Sequence, residues 1–266
     1  MKKYLSLLRM RFIAGLQYRA AALAGIATQF AWGFMLILMF SAFYRSDASA
    51  FPMSLAQTAS YIWLQQAFLA LLMVWFLDSE IISSITNGNV AYELCRPIDL
   101  YAMWFFKNVA MRLAKAVLRC LPILVIALFL PAPYTLQLPG IGRMLLFLLS
   151  LLLGMAVTVA FCMLIYIYTF YTMSQQGLRM FVGPIIEFLS GSIIPLPFLP
   201  DGLYAALSYL PTASMLNTPF LIFNGVLAGS DLYKALALQV FWMAALILFG
   251  KITMQHALKR VIVQGG

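Results

Sequence analysis

One stretch of the chain decides its structural class. Residues 143–171 read RMLLFLLSLLLGMAVTVAFCMLIYIYTFY and include no charged side chain after Arg143. A helix needs roughly 20 consecutive apolar residues to cross the hydrocarbon core of a bilayer. At about 1.5 Å per residue, a helix over this range is about 43 Å long. We therefore predict a membrane-spanning helix that protrudes from the bilayer or tilts within it.

The composition of the whole chain agrees with this prediction. Of the 266 residues, 64% are hydrophobic and only 9% are charged, and the mean hydropathy is +0.95. A soluble domain is typically about 45–50% apolar and about 25% charged. A soluble fold could not keep so much apolar surface from water. We exclude a soluble enzyme, a nucleic-acid-binding domain and a disordered chain, and predict an all-α membrane protein with one domain over residues 1–266.

Five further apolar stretches complete a prediction of six membrane-spanning helices. In a six-span chain both termini lie on one side, and all but three of the 17 Lys and Arg then fall on that side. Cytoplasmic loops carry such an excess of basic residues, so we predict that both termini are cytoplasmic. The other predicted spans are residues 21–44, 57–77, 108–130, 180–194 and 232–252.

Residues 2–20, ahead of the first span, predict an amphipathic helix. Leu5, Leu8, Phe12 and Leu16 recur there at helical spacing among basic residues. Such a helix lies in the headgroup layer of a membrane. A plain N-terminal topology signal is the alternative.

Residues 195–225, before the last span, are apolar but rich in proline. Proline has no amide proton and clashes with the preceding helical turn, so one continuous helix is excluded. Two helical pieces, over residues 203–210 and 212–225, predict instead a re-entrant hairpin, whose broken backbone must be covered by protein or line a cavity. A seventh span would also place the basic C-terminal tail outside, against the charge pattern.

Residue types that catalyse reactions or bind metals are scarce. His256 is the only histidine, so a zinc site or a histidine-based triad lacks partners. Cys95, Cys120 and Cys162 are scattered and predict neither a disulfide framework nor a metal cluster. The sequence has no G-x-x-x-x-G-K-[ST] phosphate loop. We predict that this chain is not an enzyme and binds no cofactor, and that a partner binds any ATP and Mg²⁺ that drives it.

A few charged residues fall within the predicted spans. Glu187 in the fifth span is either a substrate or gating contact in a cavity, or a structural acid near a neighbouring helix or the interface. Arg112, Lys115 and Arg119 share one helix face. They either line a vestibule that attracts anions or extend to lipid headgroups.

The segment at residues 78–101, after the second span, is long for a connector. It mixes apolar residues with both signs of charge, and Asn87 begins an Asn-Gly turn signal. The pattern predicts a short helix that offers Glu80, Glu93 and Arg96 to a partner. A solvated connector is the alternative.

The order of these features resembles the membrane subunit of an ABC-2 type transporter, a bacterial permease family. Residues 90–97, VAYELCRP, are similar to the ELLRP signature of one branch, with Cys95 where an aliphatic residue is more common. The broken stretch over residues 189–225 includes SGSIIPLPFLP, NTP and FNG and comes just before the last span. The resemblance extends over nearly the whole chain.

This resemblance implies a permease in the bacterial inner membrane, made of two halves and driven by two cytoplasmic ATPase subunits. The second half is either the same chain or a related one. The loop after span two would be a coupling helix that docks on the ATPase, and the pieces before the last span would form an outer gate. The implied coupling residues are Glu80, Asn87, Glu93, Arg96 and Pro97, and the implied gate residues are Pro195, Pro197, Pro200, Pro211 and Pro219.

Apolar and aromatic residues dominate the predicted cavity, so we expect export of an amphipathic or hydrophobic substrate such as a lipid, a peptide or a drug. Three other classes stay open at this stage. They are a secondary transporter or channel driven by an ion gradient, an intramembrane enzyme, and a scaffold that only anchors an ATPase.

Overall fold

The computed structural model describes residues 2–172 and 175–259, and within these ranges the chain is helical and contains no strand. Two short 3-10 turns, at Ala48–Ala50 and Leu196–Phe198, accompany the α-helices. The α-helices are α1 (Lys2–Gly15), α2 (Arg19–Ser46), α3 (Leu55–Ala67), α4 (Leu69–Leu72), α5 (Ser79–Thr86), α6 (Val90–Leu94), α7 (Leu100–Leu128), α8 (Ile141–Thr172), α9 (Gln175–Leu189), α10 (Asp201–Ser208), α11 (Pro211–Met215), α12 (Asn217–Phe223) and α13 (Gly229–Leu258).

Three of the described helices, α2, α8 and α13, are long and apolar enough to cross a membrane. They coincide with the spans predicted at residues 21–44, 143–171 and 232–252. The span predicted at 108–130 overlaps α7 as far as Leu128, and α7 starts earlier because Asp99 accepts a hydrogen bond from the amide of Ala102 and so caps its first turn. The all-helical membrane class is confirmed, whereas the number of spans stays a prediction.

The fifth predicted span, 180–194, is displaced toward the N-terminus. It corresponds to α9, which starts at Gln175, runs through Pro184 and ends at Leu189. The residues just before the predicted span are therefore helical from Gln175 onward, while residues 173 and 174 lie outside the described ranges. The basic tail is described only as far as Lys259, so Arg260 lies outside them as well.

The second predicted span, residues 57–77, is wrong as a continuous helix. The helix α3 ends at Ala67, α4 adds a single turn, and Met73 then has extended backbone with φ −78° and ψ 132°. No glycine or proline lies in this stretch to mark the break. Because the carbonyl groups at the end of a helix have no partner within it, the break requires donors from elsewhere in the fold.

The main donor is Arg112 of α7, whose side chain is fully buried. Its guanidinium donates to the carbonyl oxygens of Leu71, Met73 and Phe76 at 2.9–3.0 Å. Its Nε donates to Oδ1 of Asn108 at 2.7 Å, which fixes the plane of the guanidinium. Arg112 neither reaches the headgroups nor lines an open vestibule, so both sequence-based interpretations are wrong for this residue.

Two side chains of α8 complete the coordination of this break. Thr158 donates from Oγ1 to the carbonyl of Leu72 at 3.3 Å, and Cys162 contacts the carbonyl of Val74 through Sγ at 3.5 Å. Below them, Tyr166 accepts hydrogen bonds at its hydroxyl oxygen from Asn108 and from the amide of Asp78, both at 2.7 Å. The broken segment is thus held between α7 and α8.

Helix α3 is buried along nearly its whole length and holds the proline-rich stretch by hydrogen bonds. Tyr61 donates to the carbonyl of Gly191 at 2.9 Å and lies 3.1 Å from Oδ1 of Asn217. Gln65 donates to the carbonyl of Ser192. Irregular backbone before the last span is therefore covered by protein, as such backbone must be inside a membrane.

The second helical piece predicted before the last span, 212–225, is divided in two. The helices α11 and α12 separate at Leu216, which has φ −127° and ψ −50°. Pro219 explains the division, because it has no amide proton to donate to the carbonyl of Met215, and its ring would clash with that carbonyl in a continuous helix. That carbonyl instead packs against Gly154 of α8, where a Cβ would lie 2.5 Å from it.

The amphipathic segment predicted at residues 2–20 is helical only as far as Gly15, and Arg19 already belongs to α2. The helix α1 lies along the first half of α7, with Tyr4 stacked on Phe106 at 5.5 Å between ring centres. Leu5, predicted on the apolar stripe, points outward and is 60% exposed. The outward apolar positions also include Met10 and Ile13.

We predict that Arg112→Met lowers the free energy of unfolding by at least about 3 kcal/mol. It leaves three buried carbonyl groups without donors, and each unsatisfied buried polar group costs about 1–3 kcal/mol. Thermal unfolding of the purified chain in a mild detergent measures the effect. Arg45→Met, at an exposed position, is the matched control and should change stability by no more than about 0.5 kcal/mol. Equal melting temperatures for the two variants would contradict the assigned role of Arg112.

Candidate coupling and gate regions

The segment at residues 78–101 folds into two short helices, α5 and α6, joined by a turn. Asp78 caps α5, accepting a hydrogen bond at Oδ1 from the amide of Glu80 at 2.9 Å. Gly88 in the turn has φ +73°, a left-handed conformation that glycine adopts without strain. The sequence had indicated one short helix and the turn.

This helical pair has a buried face and an exposed face. Ile81, Ile82, Ile85 and Val90 are buried, and α5 packs against α8. On the other side, Tyr92 is 76% exposed and Leu94 is 42% exposed. Asn87, Arg96 and Pro97, three of the predicted coupling residues, are also exposed.

Glu93 was predicted to be available to a partner, and the structure places it inside the bundle instead. Its side chain is 14% exposed and forms an ion pair with Lys107, itself 5% exposed, at 2.6 Å. The indole nitrogen of Trp104 donates to its other carboxylate oxygen at 2.6 Å. Because Lys107 and Trp104 belong to α7, Glu93 attaches α6 to α7.

Glu80 remains on the exposed side, with its carboxylate paired to Arg11 of α1 at 2.5 Å. This hydrogen bond lowers the pKa of Glu80 and raises that of Arg11. Asp78 differs, since burial raises the pKa of its carboxyl. The pair joins α1 to α5, and 61% exposure of the Glu80 side chain limits its contribution to stability.

The predicted gate prolines begin short helical elements. Pro195 precedes the 3-10 turn Leu196–Phe198, which includes Pro197, and Pro200 precedes α10. Pro211 is the first residue of α11, and Pro219 lies in the first turn of α12. Each position suits proline, because the first amides of a helix have no acceptor within it. The stretch is therefore a series of short helices with defined starts.

A cavity of about 620 Å³ lies between α10, α12 and α13. Tyr204, Tyr209, Leu221 and Phe241 contribute to its wall. Lys234, which also lines it, donates to Asp231 at 2.9 Å, an exposed pair. The wall is mostly apolar with some polar groups, a mixture that suits an amphipathic guest.

The remaining candidate residues contribute little to either region. Glu187 on α9 is half-buried, and among the described residues its carboxylate has no ion-pair partner. His256 is exposed, with Nδ1 2.8 Å from the carbonyl of Ile252 in the same helix. The described residues contain no group of three His, Cys, Asp or Glu able to hold a metal ion. The described cysteines are free.

Sequence reasoning missed the residues that connect the regions. The sequence did not single out Lys107, Tyr61 or Gln65, and it predicted for Arg112 a vestibule or a contact with lipid headgroups. One available signal was the polarity of α3, which has two adjacent glutamines, Gln65 and Gln66, in a predicted span. Polar side chains inside spans usually face other protein elements.

We predict that Glu93→Gln destabilises the chain because it leaves the ammonium of Lys107 buried without a counter-charge. Breaking a buried ion pair in this way costs about 3–5 kcal/mol. Glu93→Gln combined with Lys107→Met should recover part of the loss, whereas Arg96→Gln on the exposed face should have no effect. Thermal unfolding of these three variants and of the unmodified chain measures the effect. If Glu93→Gln were as harmless as Arg96→Gln, the proposed attachment of α6 would be wrong.

Comparison with known proteins identifies the family. A family model described as ABC-2 family transporter protein matches residues 30–265. No curated protein matches the chain at a significant level. The match extends from the middle of α2 through both regions described above to the end of the chain, and the apolar helices agree with a multi-pass membrane protein. The chain therefore belongs to the ABC-2 transporter family and is a permease of an ABC transporter.

Proposed function

We propose that this chain is half of the substrate pathway of an ABC exporter in the bacterial inner membrane, with six spans and both termini in the cytoplasm. A second half, the same chain or a related one, completes the pathway. A separate cytoplasmic ATPase binds ATP and Mg²⁺, and this chain binds no cofactor of its own. The family match supports the permease assignment, and the charge pattern supports the orientation.

The exposed face of α5 and α6 supports the docking of an ATPase. Tyr92, Leu94 and Arg96 form an outward group of one aromatic, one aliphatic and one basic side chain. Interfaces are enriched in aromatic residues and arginine. Glu93 lies on the inner side of α6, and its ion pair with Lys107 transmits any movement of α6 to α7.

The observation that carries the proposal is the continuity between α6 and the proline-rich stretch. Glu93 attaches α6 to α7, and Arg112 of the same helix holds the end of α4 by the carbonyls of Leu71 and Met73. The preceding helix α3 bonds to the proline-rich stretch through Tyr61 and Gln65. A force at the docking face thus reaches the proposed gate through packed helices and buried hydrogen bonds.

The gate is assigned to residues 195–225. Its short helices meet α3, α8 and α13, and Gln239 of α13 donates to the carbonyls of Ser150 and Ser214. The adjacent cavity of about 620 Å³ supports an amphipathic or hydrophobic substrate such as a lipid, a peptide or a drug. Glu187 is a weaker candidate for the pathway, and unchanged transport by a Glu187→Gln variant would exclude that role.

We predict that Tyr92→Ala with Arg96→Glu reduces co-purification of the ATPase at least about tenfold, which corresponds to about 1.4 kcal/mol. The change removes an exposed aromatic and reverses an exposed charge, so the permease should keep its melting temperature. The tagged chain is isolated from its native membranes in a gentle detergent, and bound proteins are quantified by mass spectrometry.

Tyr233→Ala with Lys234→Glu is the matched control, because it makes the same changes of residue type at the start of α13, on the proposed outer side. It should leave the ATPase bound. Isolation of the unmodified chain without any ATPase would contradict the proposal, and flux driven by an ion gradient in liposomes would then favour a secondary transporter.

For the gate, we predict that Tyr61→Phe slows ATP-driven efflux and raises leak. The variant removes one buried hydroxyl that donates to Gly191, worth about 0.5–1.5 kcal/mol, so the closed arrangement of the proline-rich stretch is populated less. Efflux and passive leak of a hydrophobic dye are compared in proteoliposomes that contain the permease and its ATPase. Tyr168→Phe, at an exposed position of α8, serves as the control, and equal leak in both variants would contradict the gate assignment.

A further inference from the structure

A second cavity, of about 440 Å³, lies between α1, the start of α2, the start of α5 and residues 107–119 of α7. It is separate from the proposed gate and from the exposed docking face of α6. Most of its wall is apolar, with small residues at the start of α2 on one side, but six charged side chains also line it. The charged residues that line it are Arg11, Asp78, Glu80, Lys107, Lys115 and Arg119.

Two of the four basic side chains already have acidic partners. Arg11 pairs with Glu80, and Lys107 pairs with Glu93, which approaches from outside the cavity. Lys115 and Arg119 form no ion pair with any described residue. One end of the cavity is therefore balanced in charge, and the other end holds two cations.

Lys115 lies in predominantly positive surroundings. Its ammonium is 5.1 Å from the ring centre of Phe76, and the nearby charges are Arg119 and Arg112, with a smaller attraction from Asp78. Asp78 forms no ion pair with a described residue, and the charges that act on it are those of Glu80, Arg11 and Lys107. The described acids therefore do not neutralise the end of the cavity at Lys115 and Arg119, where the net charge is positive.

Arg119 is held in place but incompletely hydrogen-bonded. Its guanidinium lies flat against Gly25 of α2, where a Cβ would be 2.6 Å from Cζ. Its contact with the protein backbone is a long one, from Nη2 to the carbonyl of Ala21 at 3.4 Å. Its Nε is buried and has no acceptor among the described residues. A buried donor without an acceptor is costly, so a guest that supplies an acceptor beside Arg119 would be favoured there.

We propose that this cavity binds the phosphate of an anionic phospholipid between Arg119 and Lys115. A phosphodiester carries a negative charge, which would offset the positive charge at this end of the cavity. The planar guanidinium suits two phosphate oxygens, and lysine acts beside it as a compact charge. Basic pockets between helices at a membrane surface bind anionic headgroups in this way.

The surroundings of the cavity favour a lipid over a free phosphate. Several outward side chains of α1 are apolar and lie among basic ones, with Leu5 60% exposed and Ile13 51% exposed. Leu23 at the start of α2 is 68% exposed. These side chains provide a surface for acyl chains next to the cations. A bound lipid would join α1 to α2 and α7 at the turn between Gly15 and Arg19.

The test uses the full chain, purified in a mild detergent, stripped of lipid and titrated with dioleoylphosphatidylglycerol or dioleoylphosphatidylcholine. Native mass spectrometry counts retained lipid. We expect one phosphatidylglycerol per chain at low concentration and about tenfold weaker retention by Lys115→Gln with Arg119→Gln. Arg45→Gln with Lys251→Gln removes the same charge elsewhere and should retain the lipid as the unmodified chain does.

Two further experiments distinguish a lipid from a free phosphate, and a loss of binding from a loss of the fold. Glycerol 1-phosphate is added as a soluble competitor, and full displacement of the lipid at matched concentration would overturn the lipid assignment in favour of a free phosphate site. Gly25→Val displaces the guanidinium of Arg119 without changing any charge, so it replaces the double glutamine variant if that variant aggregates. Equal retention of phosphatidylglycerol by the unmodified chain and by these variants would overturn the proposal.

Discussion

The hydrogen bonds from Arg112 to the end of the α3–α4 segment are the interaction on which the rest of this fold depends. A guanidinium buried among apolar helices is costly unless its donors find acceptors. Here the acceptors are carbonyl groups left free by a helix that stops, and those carbonyls would be equally costly without the guanidinium. The charge and the interrupted helix therefore stabilise each other, and the negative end of a helix dipole also favours the cation.

This interaction determines what the neighbouring elements can do. The helical part of the second predicted span ends at Leu72. Helix α5 follows from Ser79 and packs against α8, and α6 contacts α7. Glu93 is then within reach of Lys107, which precedes Arg112 in α7. On the other side of the break, α3 directs Tyr61 and Gln65 toward the proline-rich stretch. The proposed docking face is thus attached to α7 and the proposed gate to α3, and these two helices pack against each other.

The basic half of α7 has three different roles, although its residues have the same charge. Lys107 neutralises Glu93, Arg112 coordinates backbone, and Arg119 faces a cavity with an unsatisfied donor. Helical spacing predicts that Arg112, Lys115 and Arg119 share one face of the helix. It could not distinguish their environments, because those depend on which helix packs over each position.

Local hydropathy and the missing amide protons of proline were enough to predict the membrane class, the long apolar helices at α2, α8 and α13, and the breaks before the last span. The break within residues 57–77, the inward position of Glu93 and the full burial of Arg112 depend instead on how the helices pack. No local breaker marks the interruption after Leu72. Its cause is a donor forty residues away in the sequence, and a contact of that kind exists only once α3, α7 and α8 have packed together.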